Sequence, residues 1–118
     1  MLRQRQPRKH DNGHLDFIRS LPCLICGNNI ETEACHIKMA DLSIGKIATG
    51  IAHKPDDKYT VPMCGNCHRG QHSKSERAFW IESRIDPIKT ALALFSISGD
   101  YEAGIQIVTA ATNYRNLT

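Results

Sequence analysis

Two identical cysteine pairs constrain this chain more than any other feature. Cys23-x-x-Cys26 and Cys64-x-x-Cys67 each place two thiols on one tight turn, and two such turns can close a tetrahedral four-cysteine site around zinc. The stretch between the pairs is longer than in an ordinary zinc ribbon, so it must fold into structure of its own. The alternatives are four thiols packed as small apolar groups, or redox pairs, which a chain without a thioredoxin-like strand and helix does not favour. We predict a structural Zn²⁺ site.

The cysteine count also indicates the setting in which the chain works. Five cysteines are an odd number, and no apolar segment follows the charged N-terminus, which argues against a disulfide framework and a secretory signal. No apolar run reaches the ~18 residues of a membrane span. We therefore expect a cytoplasmic protein with reduced thiols and no membrane partner. The net charge of +3 permits an anionic partner without demanding one.

Caps, turn residues and apolar spacing predict a small α+β protein in three parts. We expect a basic flexible arm over residues 1–11, a central domain over 12–98, and a C-terminal helix over 99–118 packed on that domain. Strands are predicted over residues 31–38 and 58–63, separated by a loop over 41–57. Helices are predicted over residues 12–21, 65–72 and 101–113, the last with Ile105 and Val108 facing inward. A capping box formed by Ser73 and Glu76 predicts the start of a further helix. Pro87 begins another helix, which has Ile88, Ala91, Leu92 and Phe95 on one face.

Three histidines lie near the cysteine pairs in the predicted fold. His36 falls on the first strand, His68 follows the second cysteine pair directly, and His72 comes four residues later. Residues four apart share one face of a helix, so His68 and His72 could hold one cation between them. Four cysteines already complete a zinc tetrahedron, which leaves the three histidines unclaimed. This pattern favours a second, catalytic site, and the alternative is that they are ordinary surface histidines.

At this point the sequence resembles a known family. The motifs Cys23-x-x-Cys26-Gly, Ala34-Cys35-His36-Ile37 and Val61-Pro62-Met63-Cys64-x-x-Cys67-His68-x-x-x-His72 resemble those of the HNH endonucleases of the ββα-metal fold. The segments 54–62, 77–80 and 85–87 look like those of phage and prophage HNH proteins allied to the Ref-like recombination nucleases. The resemblance covers roughly residues 14–97 and leaves out the C-terminal helix.

The resemblance implies a fold, a reaction and a role for each histidine. In that family a β-hairpin and a helix hold one divalent ion, and zinc knuckles staple the unit. His36 would be the general base, and His68 and His72 would bind a catalytic Mg²⁺, Mn²⁺ or Zn²⁺ ion. The reaction would be in-line hydrolysis of a DNA phosphodiester that leaves a 5′-phosphate. The implied partners are DNA and recombinase-coated DNA, in a phage- or prophage-encoded protein.

Two positions depart from the family pattern. Cys35 stands where the family usually has a His or Asp that helps to bind the metal; it could bind a soft ion, point away and leave the position to water, or pack as a small residue. Tyr59 stands where the family has the Asn that orients the base, and Asp57 lies two residues earlier. Either side chain could orient His36.

The basic residues around this motif are candidates for DNA contacts. They are Lys54, Arg69, Lys74 and Arg77, and a solvated helix face is the alternative for the last three. Three functions therefore follow from the sequence in descending order. The first is a metal-dependent HNH endonuclease, the second a non-catalytic zinc-stabilised DNA-binding module, and the third a structural or assembly partner in a phage particle or recombination complex.

Overall fold

The hairpin and the helices around it are seen in a computed structural model that describes residues 10–46, 48 and 55–116. Within these residues the chain forms five α-helices and one two-stranded sheet, so the predicted α+β class is confirmed. The elements in order are α1 (Asn12–Arg19), β1 (Thr32–His36), a 3₁₀ turn (Leu42–Ile44), β2 (Thr60–Cys64), α2 (Gly65–His72), α3 (Glu76–Ser83), α4 (Pro87–Ser96) and α5 (Tyr101–Asn116). None of the helices in these ranges is long and apolar enough to cross a membrane.

The sheet is an antiparallel hairpin whose second strand lies in the core. Thr32 pairs with Cys64 and His36 pairs with Thr60, so the first strand ends opposite the start of the second. All five residues of β2 are buried because α1 and α4 pack against it, whereas β1 is buried only at Cys35. The β2 strand leads without a break into α2. The hairpin therefore carries side chains of β1 directly beside the first turns of a helix.

The core joins the hairpin to the N-terminal and C-terminal helices. Its fully buried side chains include Ile18, Leu21, Leu24, Ile37, Val61, Met63 and Leu94. The α5 helix approaches α1 closely at Gly104, where an added Cβ would lie 2.8 Å from the Phe17 ring. Thr112 donates its hydroxyl to the Leu24 carbonyl oxygen at 2.9 Å, so α5 also contacts the first cysteine turn.

Two details of the predicted helices differ from the structure. The predicted capping box is wrong, because Ser73 closes α2 and Ser75 begins α3, accepting from the Ala78 N–H. Glu76 is engaged elsewhere, since its carboxylate accepts the backbone N–H groups of Lys38 and Met39 after β1.

On α4 the side chain that completes the core is not the predicted one. Phe95 is 40% exposed and Leu94 is fully buried, although Asp86 and Pro87 begin the helix as predicted. On α5, Val108 is buried and Ile105 is partly buried. Of the predicted basic arm, residues 1–9 lie outside the described residues, as does Lys54 in the predicted loop.

Candidate functional site

The four paired cysteines come together where the turn after α1 meets the start of α2. The Sγ atoms of Cys23, Cys26, Cys64 and Cys67 all lie within 4.8 Å of one another, and the Cys26 and Cys64 sulfurs are 3.7 Å apart. A tetrahedral zinc ion with Zn–S bonds of about 2.3 Å separates its sulfurs by about 3.8 Å. The donor set and its spacing therefore fit a metal ion such as zinc.

The first cysteine turn is held by its own backbone. The Ile25 N–H points at the Cys23 sulfur, 3.4 Å away, and the Gly27 N–H donates to the Cys23 carbonyl oxygen at 2.9 Å. Gly27 has φ +77°, a left-handed conformation that favours glycine. The Leu24 N–H donates to the Pro62 carbonyl oxygen at 2.8 Å, which brings this turn against β2.

The second cysteine pair lies at the N-terminus of α2. Cys64 ends β2 and precedes the first helical residue, and Cys67 lies in the first turn. A backbone hydrogen bond from Cys67 lowers the pKa of the Cys64 thiol, whereas burial raises the pKa of Cys26 and of Cys67. A bound cation would favour the thiolate form of all four side chains, and the positive end of the helix dipole would add to that stabilisation.

The two helical histidines lie side by side on α2. The ring centres of His68 and His72 are 4.7 Å apart. The Nδ1 atom of His68 lies 2.7 Å from an oxygen of Glu33 on β1, and since a carboxylate only accepts, the imidazole is the donor. The imidazoles of His68 and His72 and the carboxylate of Glu33 therefore lie next to one another beside α2.

His36 makes its closest described contact with a buried acid. Its Nε2 lies 2.8 Å from an oxygen of Asp57, whose side chain is fully buried. The second oxygen of Asp57 accepts the backbone N–H of Asp11 at 2.7 Å, immediately before α1. Of the two candidates for orienting His36, Asp57 is therefore the one in hydrogen-bond contact. Tyr59 instead has the ammonium groups of Lys46 and Lys58 over its ring, at 5.0 and 5.2 Å.

Cys35 packs in the hydrophobic core. It is 1% exposed, and burial raises the pKa of its thiol to about 12, with the charges of Glu76 and Glu33 adding to the effect. A thiol with that pKa is neutral at physiological pH. Among its three possible roles, the geometry is that of a packed small residue.

The structure does not gather all the predicted site residues into one cluster. Within residues 10–46, 48 and 55–116, the four cysteines are the one set of three or more His, Cys, Asp or Glu side chains whose ligand atoms lie within 4.8 Å of one another. His36, His68 and His72 do not form such a set. The two helical histidines are thus adjacent to each other, and His36 is paired separately with Asp57.

The predicted DNA contacts differ in how they are engaged. Arg69 donates to Asn66 and Lys74 donates to Glu82, both at 2.6 Å. The side chain of Arg77 forms no ion pair or hydrogen bond with any described residue. It lines an open groove of about 550 Å³ together with Arg84, Trp80 and residues 39–42 after β1.

Glu33 and Arg84 lie at these candidate sites but are not among the site residues predicted from the sequence. Glu33 lies three residues before His36 and pairs with Met63, directly before the second cysteine pair. This strand register places the Glu33 carboxylate beside α2. The alternation of side chains between the two faces of the predicted strand was the one signal in the sequence for its position. Arg84 ends α3 with φ +58°, an uncommon conformation for a residue with a side chain.

Comparison with known proteins gives one family match, and it covers the region that carries these side chains. Neither the curated proteins nor the solved structures contain a match to the chain. Residues 1–85 match a family whose description is "Protein of unknown function (DUF968)". That region includes the four clustered cysteines, Glu33 and the three histidines, and ends before α4. The chain belongs to the DUF968 family.

Proposed function

We propose that this protein is a metal-dependent HNH endonuclease that hydrolyses DNA phosphodiester bonds. One observation carries the proposal: a hairpin strand bearing His36, hydrogen-bonded to the buried Asp57, runs beside a helix that presents His68 and His72 on successive turns. The sequence motifs of this hairpin and helix resemble those of the HNH family. In this proposal β1, β2 and α2 are the ββα-metal core.

In this core the four cysteines hold a structural zinc ion. The cluster joins the turn after α1 to the start of α2 and so fixes the helix that carries the two histidines. It acts at the point where β2 becomes α2, and it stabilises a small domain with a modest core. The zinc ion takes no part in the reaction because its four ligands leave no open position.

His68 and His72 would hold a second divalent ion, Mg²⁺, Mn²⁺ or Zn²⁺. Their ring centres lie 4.7 Å apart, and residues four apart on one helix face can bind a shared ion. With two protein ligands, water and phosphate could also bind the ion. When bound, the ion stabilises negative charge on the scissile phosphate and on the departing 3′ oxygen.

His36 is the general base. A neutral imidazole that donates from Nε2 to Asp57 carries its lone pair on Nδ1. Nδ1 takes a proton from water as the water oxygen attacks phosphorus in line with the 3′ oxygen. The P–O3′ bond breaks and leaves a 5′-phosphate, and the departing 3′ oxygen takes a proton from solvent water to become a 3′ hydroxyl. Asp57 holds the tautomer and stabilises the imidazolium that forms, and the backbone N–H of Asp11 keeps its carboxylate in place.

Basic side chains near the hairpin supply the contacts to DNA. Arg77 and Arg84 line the groove beside the end of β1 and form no ion pairs with the described residues. Arginine fits phosphate oxygens with two parallel hydrogen bonds, so an unpaired arginine in a groove suits a nucleic-acid backbone. Arg69 and Lys74 are further contacts in this proposal, as is Lys54, which lies outside the described residues. The proposed substrate includes branched or recombinase-coated DNA. The setting is the cytoplasm of a cell that carries the phage or prophage.

A non-catalytic zinc-stabilised DNA-binding module is the second candidate. Cys35 favours it, because this residue replaces the usual metal-binding His or Asp and has a buried thiol whose pKa is raised to about 12. A ββα core without that ligand would keep its zinc site and its basic groove but would lack a full catalytic centre. The two candidates give different results in one assay.

The test is DNA cleavage by zinc-loaded protein. Supercoiled plasmid, linear duplex, single strands, branched DNA and recombinase-coated DNA are each incubated with Mg²⁺, Mn²⁺ or Zn²⁺. We expect cleavage products with 5′-phosphates, and we expect His36→Ala to abolish cleavage while zinc content and circular dichroism stay unchanged. His10→Ala is the matched control, because His10 is exposed and lies outside the site, and it should cut like the parent protein.

Two results would overturn the endonuclease. A folded, zinc-loaded protein that binds DNA but cuts no form with any of these ions is the DNA-binding module. A folded protein that neither cuts nor binds DNA at moderate salt is a structural or assembly partner. Cleavage that survives in His36→Ala removes His36 from the role of base.

A further inference from the structure

Glu33 reaches from the sheet to the helix at the position of His68. It lies on β1 opposite Met63, one residue before the point where β2 leads into α2. The Glu33 side chain is 51% exposed and that of His68 is 21% exposed, so their contact at 2.7 Å lies at the surface of the protein. The two residues are 35 positions apart in sequence, so the contact is a product of the fold and not of local chain geometry.

The carboxylate of Glu33 lies against the residue that begins α2. A side-chain carbon at Gly65 would lie 3.4 Å from Oε2 of Glu33, which is close to ordinary contact, and 3.0 Å from Nη1 of Arg69, whose guanidinium would have to shift slightly. Glu33 therefore packs at the first turn of α2, within reach of the imidazole one turn along.

A histidine that binds a metal has a characteristic second partner. Such a histidine donates its other ring N–H to a carboxylate or carbonyl oxygen, which fixes the tautomer, orients the ring and makes the metal-binding nitrogen more basic. The contact between Nδ1 of His68 and Glu33 has this form. It leaves the lone pair of His68 on Nε2, and the ring stands 4.7 Å from that of His72.

We propose that Glu33 is the positioning residue of the histidine metal site: its carboxylate accepts the Nδ1–H of His68 and so directs Nε2 towards an ion shared with His72. This inference rests on the proposed function, because it takes His68 and His72 as the ligands. Glu33 acts through His68 and is not itself a ligand. Of the ions named for this site, Mn²⁺ and Zn²⁺ are favoured over Mg²⁺, since two imidazoles are ligands that first-row transition ions prefer.

The test measures metal affinity in place of cleavage. Zinc-loaded protein is titrated with Co²⁺ by calorimetry and by visible absorption. Co²⁺ competes poorly with Zn²⁺ for a four-cysteine site, and the absence of thiolate-to-cobalt charge-transfer absorption verifies that the cysteine cluster stays occupied. The variants are Glu33→Ala, Glu33→Gln, His68→Ala and His72→Ala. Glu31→Gln, two residues earlier on the exposed side, controls for the loss of one negative charge.

Glu33→Ala should weaken Co²⁺ binding by about 10- to 100-fold. Glu33→Gln should stay within a few-fold of the parent protein, because the amide oxygen still accepts the Nδ1–H. Glu31→Gln should bind like the parent. The side chain of Glu33 is half exposed, so these variants should fold, and circular dichroism together with zinc content verifies that they do.

The outcomes separate this inference from the function on which it rests. If His68→Ala and His72→Ala bind Co²⁺ as well as the parent, the histidine metal site itself is wrong. If these two variants lose binding but Glu33→Ala does not, Glu33 has no positioning role. If Glu33→Gln weakens binding as much as Glu33→Ala, Glu33 is a direct ligand and the positioning role is overturned.

Discussion

Loss of the metal ion proposed for the four-cysteine cluster should destabilise the part of the protein that holds the histidines. The perturbation is Cys26→Ser, chosen because Cys26 is exposed and its replacement barely alters packing. Its sulfur lies 3.7 Å from that of Cys64, 38 positions along the chain. The cluster therefore closes a long loop that contains β1 and most of β2, and breaking it releases that loop from the start of α2.

The size of the effect follows from the preference of zinc for the folded four-cysteine site over the unfolded chain. Its loss lowers the free energy of unfolding by RT ln(1 + [Zn]/Kd), which is about 4 kcal/mol where free zinc is about 1,000 times Kd. A small domain has a free energy of unfolding of about 5–15 kcal/mol, so this loss is a large share of it. For a domain of this size, 4 kcal/mol corresponds to a fall in Tm of about 15–20 °C.

The assay combines metal content with thermal unfolding. The parent protein should contain one tightly held zinc ion per chain, and both Cys26→Ser and a strong chelator should remove it and lower Tm by the stated amount. Cys35→Ala is the matched control, because Cys35 is buried outside the cluster. That variant should keep its zinc and lose only about 1 kcal/mol, from the smaller side chain in the core.

Three results would refute this reasoning. The protein could be purified and folded without any metal, the chelator could remove zinc and leave Tm within a few degrees of its original value, or Cys35→Ala could lose zinc as readily as Cys26→Ser. The first two would mean that the four thiols pack simply as apolar groups. The third would mean that the fifth cysteine belongs to the metal site.

Three further predictions follow from single side chains. Burial raises the pKa of Cys35 to about 12, so this thiol should resist iodoacetamide at neutral pH in the zinc-loaded protein and react only after denaturation; alkylation of the folded protein would contradict the buried, neutral thiol. Burial lowers the pKa of His14, so the unfolded state binds a proton at this imidazole more readily than the folded state does. The stabilising contribution of neutral His14 is therefore present above about pH 6.5 and is lost as the pH falls below that value. The free energy of unfolding falls there by at most about 1.4 kcal/mol per pH unit. Urea unfolding at about pH 7 and about pH 5.5 should therefore show a smaller loss in His14→Leu than in the parent, and equal losses would remove His14 as a cause. Arg77→Ala should weaken DNA binding and reduce the slope of log K against log[salt] by about 1. Lys74→Ala should change the affinity and the slope less, because Lys74 is paired with Glu82. Equal effects of the two variants in filter binding would show that the groove has no special role.

Local sequence patterns predicted the parts of the site that the chain builds over a few residues. Each C-x-x-C turn is set by neighbouring backbone groups, so the four-cysteine cluster followed once the two turns were brought together. The histidines four residues apart share a helix face for the same reason. The strands and the start of α4 were also found, because alternation, Asp86 and Pro87 act locally.

The contact between Glu33 and His68, 35 positions apart, needed the register of the hairpin. Asp57 was one of two candidates for orienting His36, and only the fold, which brings them together across 21 positions, selects it over Tyr59. No spacing rule predicts which acid returns to which histidine over such distances.

The wrong capping residue of α3 has a similar origin. Both Ser73 and Ser75 are good cap residues, but Glu76 lies against the backbone after β1, and this tertiary contact decides where the helix begins.

The adjacency of Cys67 and His68 has a consequence for exposure to heavy metals. The last cysteine of the cluster and the first histidine of α2 are joined by one peptide bond in the first turn of the helix. A larger thiophilic ion such as Cd²⁺, which would displace zinc and lengthen all four metal–sulfur bonds, would push that turn outwards and carry the neighbouring imidazole with it. Cadmium would then act on this protein at a distance, by moving a side chain that it never touches, in a chain that remains folded.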